Sequence, residues 1–252
     1  MINGKLLSAL ETGQHKLCLN PQNKTIIYIP IQYSNQPPTV LNSIKTTKYF
    51  VKAKVDSNFE KDNFSVSFPA GTFYDDFYLN FEVKNNILFL HDDTVPVHSN
   101  FTISVEDIIS SEEEKKKMFL ASFNGKKWTY NATKLVGNTF SCRSKSLGQF
   151  TLMKDTVAPK INISKSIEGK WITGQKGLSF TISDDLSGIK TYNGYINDVW
   201  VLFEYEPKTK KLTHDFDDKL LLEGQNKLKV VVTDNIGNST IFETQFFRSQ
   251  KK

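Results

Sequence analysis

Asp-Thr-Val-Ala-Pro-Lys-Ile at 155–161, Ser-Asp-Asp-Leu-Ser-Gly-Ile at 183–189 and Thr-Asp-Asn-Ile-Gly-Asn-Ser at 233–239 decide how the C-terminal part of the chain reads. Each combines Asp or Asn with Gly, Pro or Ser, residues whose side chains or backbone freedom favour turns. Between them lie short runs of β character. Leu178-Ser-Phe-Thr-Ile182 alternates apolar and polar, and 200–205 and 212–216 flank the turn Pro207-Lys-Thr-Lys210. Residues 228–232 precede the third turn, and 240–247 supply a last strand. Short strands at regular spacing with turns between them predict an antiparallel β-sandwich over 155–252. No helical run interleaves these strands, which counts against a parallel α/β sheet and its crevice sites.

Upstream the same grammar continues. Phe64-Ser-Val-Ser-Phe68, Phe77-Tyr-Leu-Asn-Phe81 and Phe101-Thr-Ile-Ser-Val105 alternate as half-buried strands do. The one helix signal is Ser110-Ser-Glu-Glu-Glu-Lys-Lys-Lys117: serine can cap, acids occupy the first turn, and Glu112/Lys116 and Glu113/Lys117 are four apart. Asn124-Gly125 predicts a hairpin leading to Trp128 and Tyr130. A second sandwich is therefore expected over 36–154, with one short helical segment. The Lys24–Gln32 run is dense in β-formers and follows the turn Asn20-Pro-Gln-Asn23. Two strands cannot bury both faces, so 1–35 reads as the remnant of a preceding β module. Ser34-Asn-Gln-Pro-Pro-Thr39 reads as the linker.

Composition narrows the function. The 252 residues are 38% hydrophobic with 19 Phe and 9 Tyr, which fits packed domains rather than disorder. The net charge is +5, yet only Arg143 and Arg248 are arginine among the 32 basic residues. Lysines scattered among acids make a solvated surface, and no nucleic-acid partner is expected. Cys18 and Cys142 fall in different modules; they form no disulfide framework and no metal spacing, and neutral thiols are the simpler reading. No signal peptide is visible after Met1, and no apolar run reaches the ~18 residues of a membrane span.

Candidate chemistry is sparse. His91-Asp-Asp-Thr-Val-Pro-Val-His98 is the densest grouping of zinc-type ligands, but Pro96 and its turn formers read as a loop. His214 and Asp218 are four apart without a further ligand. The paired acids do not have the separation that glycosidase carboxylates need across a cleft. Asp184, Asp185 and Asp234 could supply oxygens to calcium, although no Asp-x-Asp-x-Asp-Gly loop is present. No nucleophile elbow or phosphate loop occurs. No catalytic residue, metal site or cofactor is therefore assigned. The candidate binding residues are aromatic: Tyr78, which alternates away from Phe77 and Phe81, and Trp128, near a turn.

Several ordered stretches carry a resemblance. They are the run from Phe64 through Pro69-Ala-Gly-Thr-Phe-Tyr-Asp-Asp76 to Phe81, then 91–98, Leu147-Gly-Gln-Phe-Thr-Leu152, Asp155-Thr-Val-Ala-Pro159 and 183–189. Over roughly 40–250 the chain resembles the C-terminal β region of lysostaphin-type zinc peptidases, the peptidoglycan endopeptidases of Gram-negative bacteria. The resemblance implies tandem immunoglobulin-like modules in a periplasmic, envelope or secreted protein. It also implies a catalytic domain with His-x-x-x-Asp and His-x-His zinc motifs. No His-x-His occurs in this sequence. Zinc and peptidase activity would then belong to a segment upstream of Met1, and this chain would be no enzyme. It would be an accessory region that positions the hydrolase, with peptidoglycan or the parent catalytic domain as partner. The alternative expectation is a stand-alone glycan- or peptidoglycan-binding module.

Overall fold

The computed structural model describes residues 13–19, 27–33, 46–216 and 221–249. The chain divides into two compact units, Met1–Thr46 and Thr47–Lys252. In the first, Gly13–Leu19 pairs antiparallel with Ile27–Tyr33, Gly13 lying opposite Tyr33 and Leu19 opposite Ile27. The expected turn at 20–23 and linker at 34–39 lie outside the described residues.

The second unit contains two sandwiches in succession. One sheet of the first runs, in hydrogen-bonded order, Trp128–Tyr130, Met118–Phe123, Gly148–Lys154, Ile87–Leu90, Phe81–Lys84. The facing sheet runs Thr133–Val136, Thr139–Ser144, Phe101–Glu106, Phe64–Phe68, Ser57–Lys61. Alternation does what the sequence predicts. Phe64, Val66 and Phe68 are buried while Ser67 is exposed, and Phe101, Ile103 and Val105 are buried beside them. They share one core with Leu88, Leu90, Leu120 and Phe150 of the other sheet. Phenylalanine fills much of that space: the Phe68 ring lies 5.0 Å from both Phe73 and Phe101, in tilted or edge-on geometry, the arrangement favoured by the ring quadrupoles.

Details of the first sandwich differ from the expectation. The run 77–81 is not one strand. Phe77–Leu79 pairs with Tyr49–Val51, whereas Phe81 begins the next strand in the five-stranded sheet. The break is at Asn80, whose amide donates to His91 Nδ1 at 3.1 Å and whose carbonyl accepts the His91 amide at 2.8 Å. The Asn124-Gly125 hairpin forms, but with four residues between Phe123 and Trp128; Asn124 Oδ1 accepts the amides of Lys126 and Lys127.

The helical segment is a single turn, Glu112–Lys115, closed by a capping box between Ser111 and Glu114. Its ion pairs are Glu112–Lys115 and Glu113–Lys116, three apart rather than four, because one turn is too short to seat the longer spacing.

The second sandwich faces Lys160–Ile163, Gly177–Ser183, Lys211–Asp215 and Glu204–Glu206 against Lys170–Trp171, Ser239–Arg248, Gly224–Asp234, Ile189–Ile196 and Val199–Val201. Leu178, Phe180, Ile182 and Leu212 meet Ile196, Leu228, Val230, Val232 and Phe246 in its core. The expected strand 200–205 is split between the sheets. Val199–Val201 pairs with Ile189–Ile196, and Glu204–Glu206 pairs with Lys211–Asp215. The crossing places Phe203, 4% exposed, over buried Gly194, where a Cβ would overlap the Phe203 ring carbons. The fold is thus all-β, with two sandwiches in tandem whose strands pair antiparallel except for Lys170–Trp171, which runs parallel to Ser239–Arg248.

Candidate functional site

The three turn motifs quoted at the outset meet at one place, the junction where the first sandwich passes into the second. Each contains an aspartate that turns back on its own backbone. Asp155 Oδ1 accepts from Val157 N at 3.0 Å, Asp184 Oδ1 from Leu186 N at 3.0 Å, and Asp234 Oδ1 from Ile236 N at 2.9 Å. These are Asx turns, in which a short carboxylate replaces a backbone acceptor. Asp184 Oδ1 also takes Gly188 N at 2.6 Å, and Asp234 Oδ1 takes Asn238 N at 2.7 Å. Gly188 and Gly237 have φ of +79° and +89°, a conformation glycine adopts without a Cβ penalty.

The turns are then tied to one another and to the first sandwich. Asp155 N donates to Lys117 O at 2.8 Å, extending the pairing of Met118 with Lys154 by one step. Asp155 Oδ2 accepts from Ser187 N at 3.1 Å, and Asn235 Nδ2 donates to Ser187 O at 2.8 Å. Asn238 is the hub. Its Nδ2 donates to Asp155 O at 3.2 Å and to Asp234 Oδ2 at 2.7 Å, while its Oδ1 accepts from Lys117 Nζ at 2.7 Å. A single amide side chain therefore joins the end of the first sandwich to two turns of the second.

One ligand oxygen from each of Asp155, Asp184 and Asp234 falls within 4.8 Å of the others. Asp155 is 2% exposed and Asp234 0%. Among the described residues none of the three forms an ion pair. Asp185 does not join the cluster: it pairs with Lys160 Nζ at 2.7 Å. That bond holds the Asp185 carboxyl below its usual range and raises Lys160. Asp184 and Asp234 are thus together as the sequence predicts, with Asp155 in the place expected of Asp185. The missed signal was the shared pattern of an Asp with an apolar residue two positions on, at 155, 184 and 234.

The other candidates are placed as follows. Tyr78 is half-buried with its ring 4.9 Å from Phe50, and Trp128 is half-buried with its ring 5.3 Å from Phe123. They are not brought together. Trp128 lies on an edge strand of the first five-stranded sheet, whereas Tyr78 lies in the separate two-stranded pairing of Phe77–Leu79 with Tyr49–Val51. More exposed are Tyr74 and Trp171, at 64% each, and Trp200, at 54%. In the 91–98 loop, His98 Nδ1 meets Tyr74 Oη at 2.9 Å and His91 Nδ1 meets the Asn80 amide. Burial lowers His91 from the ordinary imidazole value, and the two rings serve separate partners. His214 Nδ1 lies 2.7 Å from Leu202 O, with its ring stacked on Phe203; Asp218 lies outside the described residues. Cys142 is a buried free thiol that burial pushes up to about 12.

Residues 48–155 match the Zu5-like domain family. That span covers the first sandwich and ends on Asp155, the first residue of the junction. No curated protein matches the sequence. Similar solved structures include the fibronectin(III)-like modules of Clostridium thermocellum CbhA, at 11% identity over 60% of this chain and 85% of that one, with a TM-score of 0.31. Tandem Ig repeats of Dlar are similar at 10% identity over 61% of this chain and 89% of that one, with a TM-score of 0.23. No helix among the described residues is long and apolar enough to cross a membrane.

Proposed function

We propose that the chain is a non-catalytic positioning region of a cell-envelope peptidoglycan peptidase. Its two sandwiches act as one stiff body that holds a hydrolase at a set orientation to its polymer. The observation that carries this reading is the Asn238 hub. Independent modules on a flexible linker would need no side chain that bonds Lys117, Asp155 and Asp234 together. The motif resemblance to the β region of lysostaphin-type peptidases supplies the partner and the polymer, and the absence of a His-x-His sequence agrees with chemistry carried elsewhere.

The test joins a lysostaphin-type catalytic domain to the N-terminus of this chain and follows muropeptide release from purified sacculi. Release is expected to exceed that from the same domain on a flexible linker of equal reach, and to fall back when the fusion carries Asn238→Ala. Equal release from all three would contradict the reading. A second reading, a stand-alone glycan-binding module, draws on the exposed Trp171 and Trp200. Sedimentation of the unfused chain with sacculi, lost on Trp200→Ala, would favour it.

A further inference from the structure

We infer that the junction is a binding site for a divalent cation of the calcium type, held by Asp155, Asp184, Asp234 and the hydroxyl of Ser187. The inference rests on the reading of this junction as the part that fixes the two sandwiches, and it adds a ligand that would control how firmly they are fixed.

The charge comes first. Three carboxylates offer oxygens within 4.8 Å of one another, and two of them are withdrawn from solvent. Like charges at that range repel strongly where water is excluded. Lysines stand nearby but are engaged elsewhere: Lys117 on Asn238 Oδ1 and Lys160 on Asp185. The backbone amides that donate to the three aspartates hold their carboxyl groups in fixed orientations. They do not exhaust the acceptor capacity, since an ionised carboxylate has about four lone-pair sites.

The second observation is independent of the acids. Ser187 is 1% exposed, and its Oγ has no hydrogen-bond partner among the described residues. A buried hydroxyl without a partner is costly and rare. This one belongs to a residue bonded on one side to Asp155 Oδ2 and on the other to the side chain of Asn235, the neighbour of Asp234. Ser187 is thus held by its backbone where the three turns meet, and a cation there would give its buried hydroxyl a use as a neutral oxygen ligand. An all-oxygen donor set drawn from irregular turns suits calcium, which tolerates variable geometry and completes its shell with water. It does not suit zinc, for which nitrogen or sulfur donors are usual.

The test uses the full chain stripped with chelator and dialysed against calcium chloride at about 1 mM, the range of weak extracellular oxygen sites. One calcium per chain is expected, with a higher thermal midpoint than in chelator. Asp184→Asn keeps an oxygen for the Leu186 and Gly188 amides while removing a charge. It should weaken binding about tenfold or more with an unchanged circular dichroism spectrum. Ser187→Ala should fold and bind more weakly than wild type. A folded wild type that takes up well under one calcium per chain overturns the inference, as does an Asp184→Asn variant that binds like wild type. Sandwiches that tumble as one body without calcium uptake would remove the cation and leave the stiff coupling. Stoichiometric calcium on sandwiches that tumble separately would keep the cation and remove the coupling.

Discussion

Gly194 shows how much of this fold depends on single positions. Phe203 leaves one sheet for the other directly over it, and a methyl group there would occupy the space of the ring. Gly194→Ala is expected to destabilise the chain by about 1–3 kcal/mol through overpacking, measured by urea denaturation; an unchanged midpoint would mean that Phe203 packs elsewhere. Nothing in the sequence marks this glycine, because the ring it accommodates comes from a strand that alternation assigns to a single sheet. Asp155 is legible in part. Its motif reads correctly as a turn, but the 83-residue separation from Asn238 hides the partner. Cys142 is legible as well: a small residue on an alternating strand, it is buried as a neutral thiol.

Elements were readable where one face is buried and one is wet. Phe64–Phe68 and Phe101–Glu106 follow their alternation into the core. Periodicity says which face is buried but not which sheet a strand joins, so 77–81 and 200–205 read as single strands although each is divided. The single helical turn is legible from Ser111 and its three glutamates, and the structure adds a long-range partner. Glu114 bonds to Lys154 at 2.9 Å as well as to Ser111. The Lys154 bond, followed by those from Ser111, lowers its carboxyl from 4.5 to about 2. A carboxyl depressed on folding stabilises the folded chain above the unfolded pKa, and that contribution fades as pH falls from about 4.5 towards 2. In a carboxyl NMR titration Glu114 should have its midpoint near 2, and Lys154→Ala should raise it towards 4.5. A wild-type midpoint near 4.5 would show that the capping turn is not formed in solution.

At the scale of the whole molecule, tandem all-β sandwiches follow from strand spacing and turn chemistry. The site was less accessible. Tyr78 and Trp128 look alike in sequence, each an aromatic near a turn, yet strand pairing sends them to different sheets. The three turn motifs look like punctuation and turn out to converge, because each closes the same end of the second sandwich against Lys117 and Asp155. The proposed positioning role therefore requires the two sandwiches to move together. Residual dipolar couplings from both, measured on the full chain, test this most directly. The wild type should give one alignment tensor for both sandwiches and two distinct tensors in Asn238→Ala, each sandwich remaining folded. Two different tensors in the wild type would contradict the account.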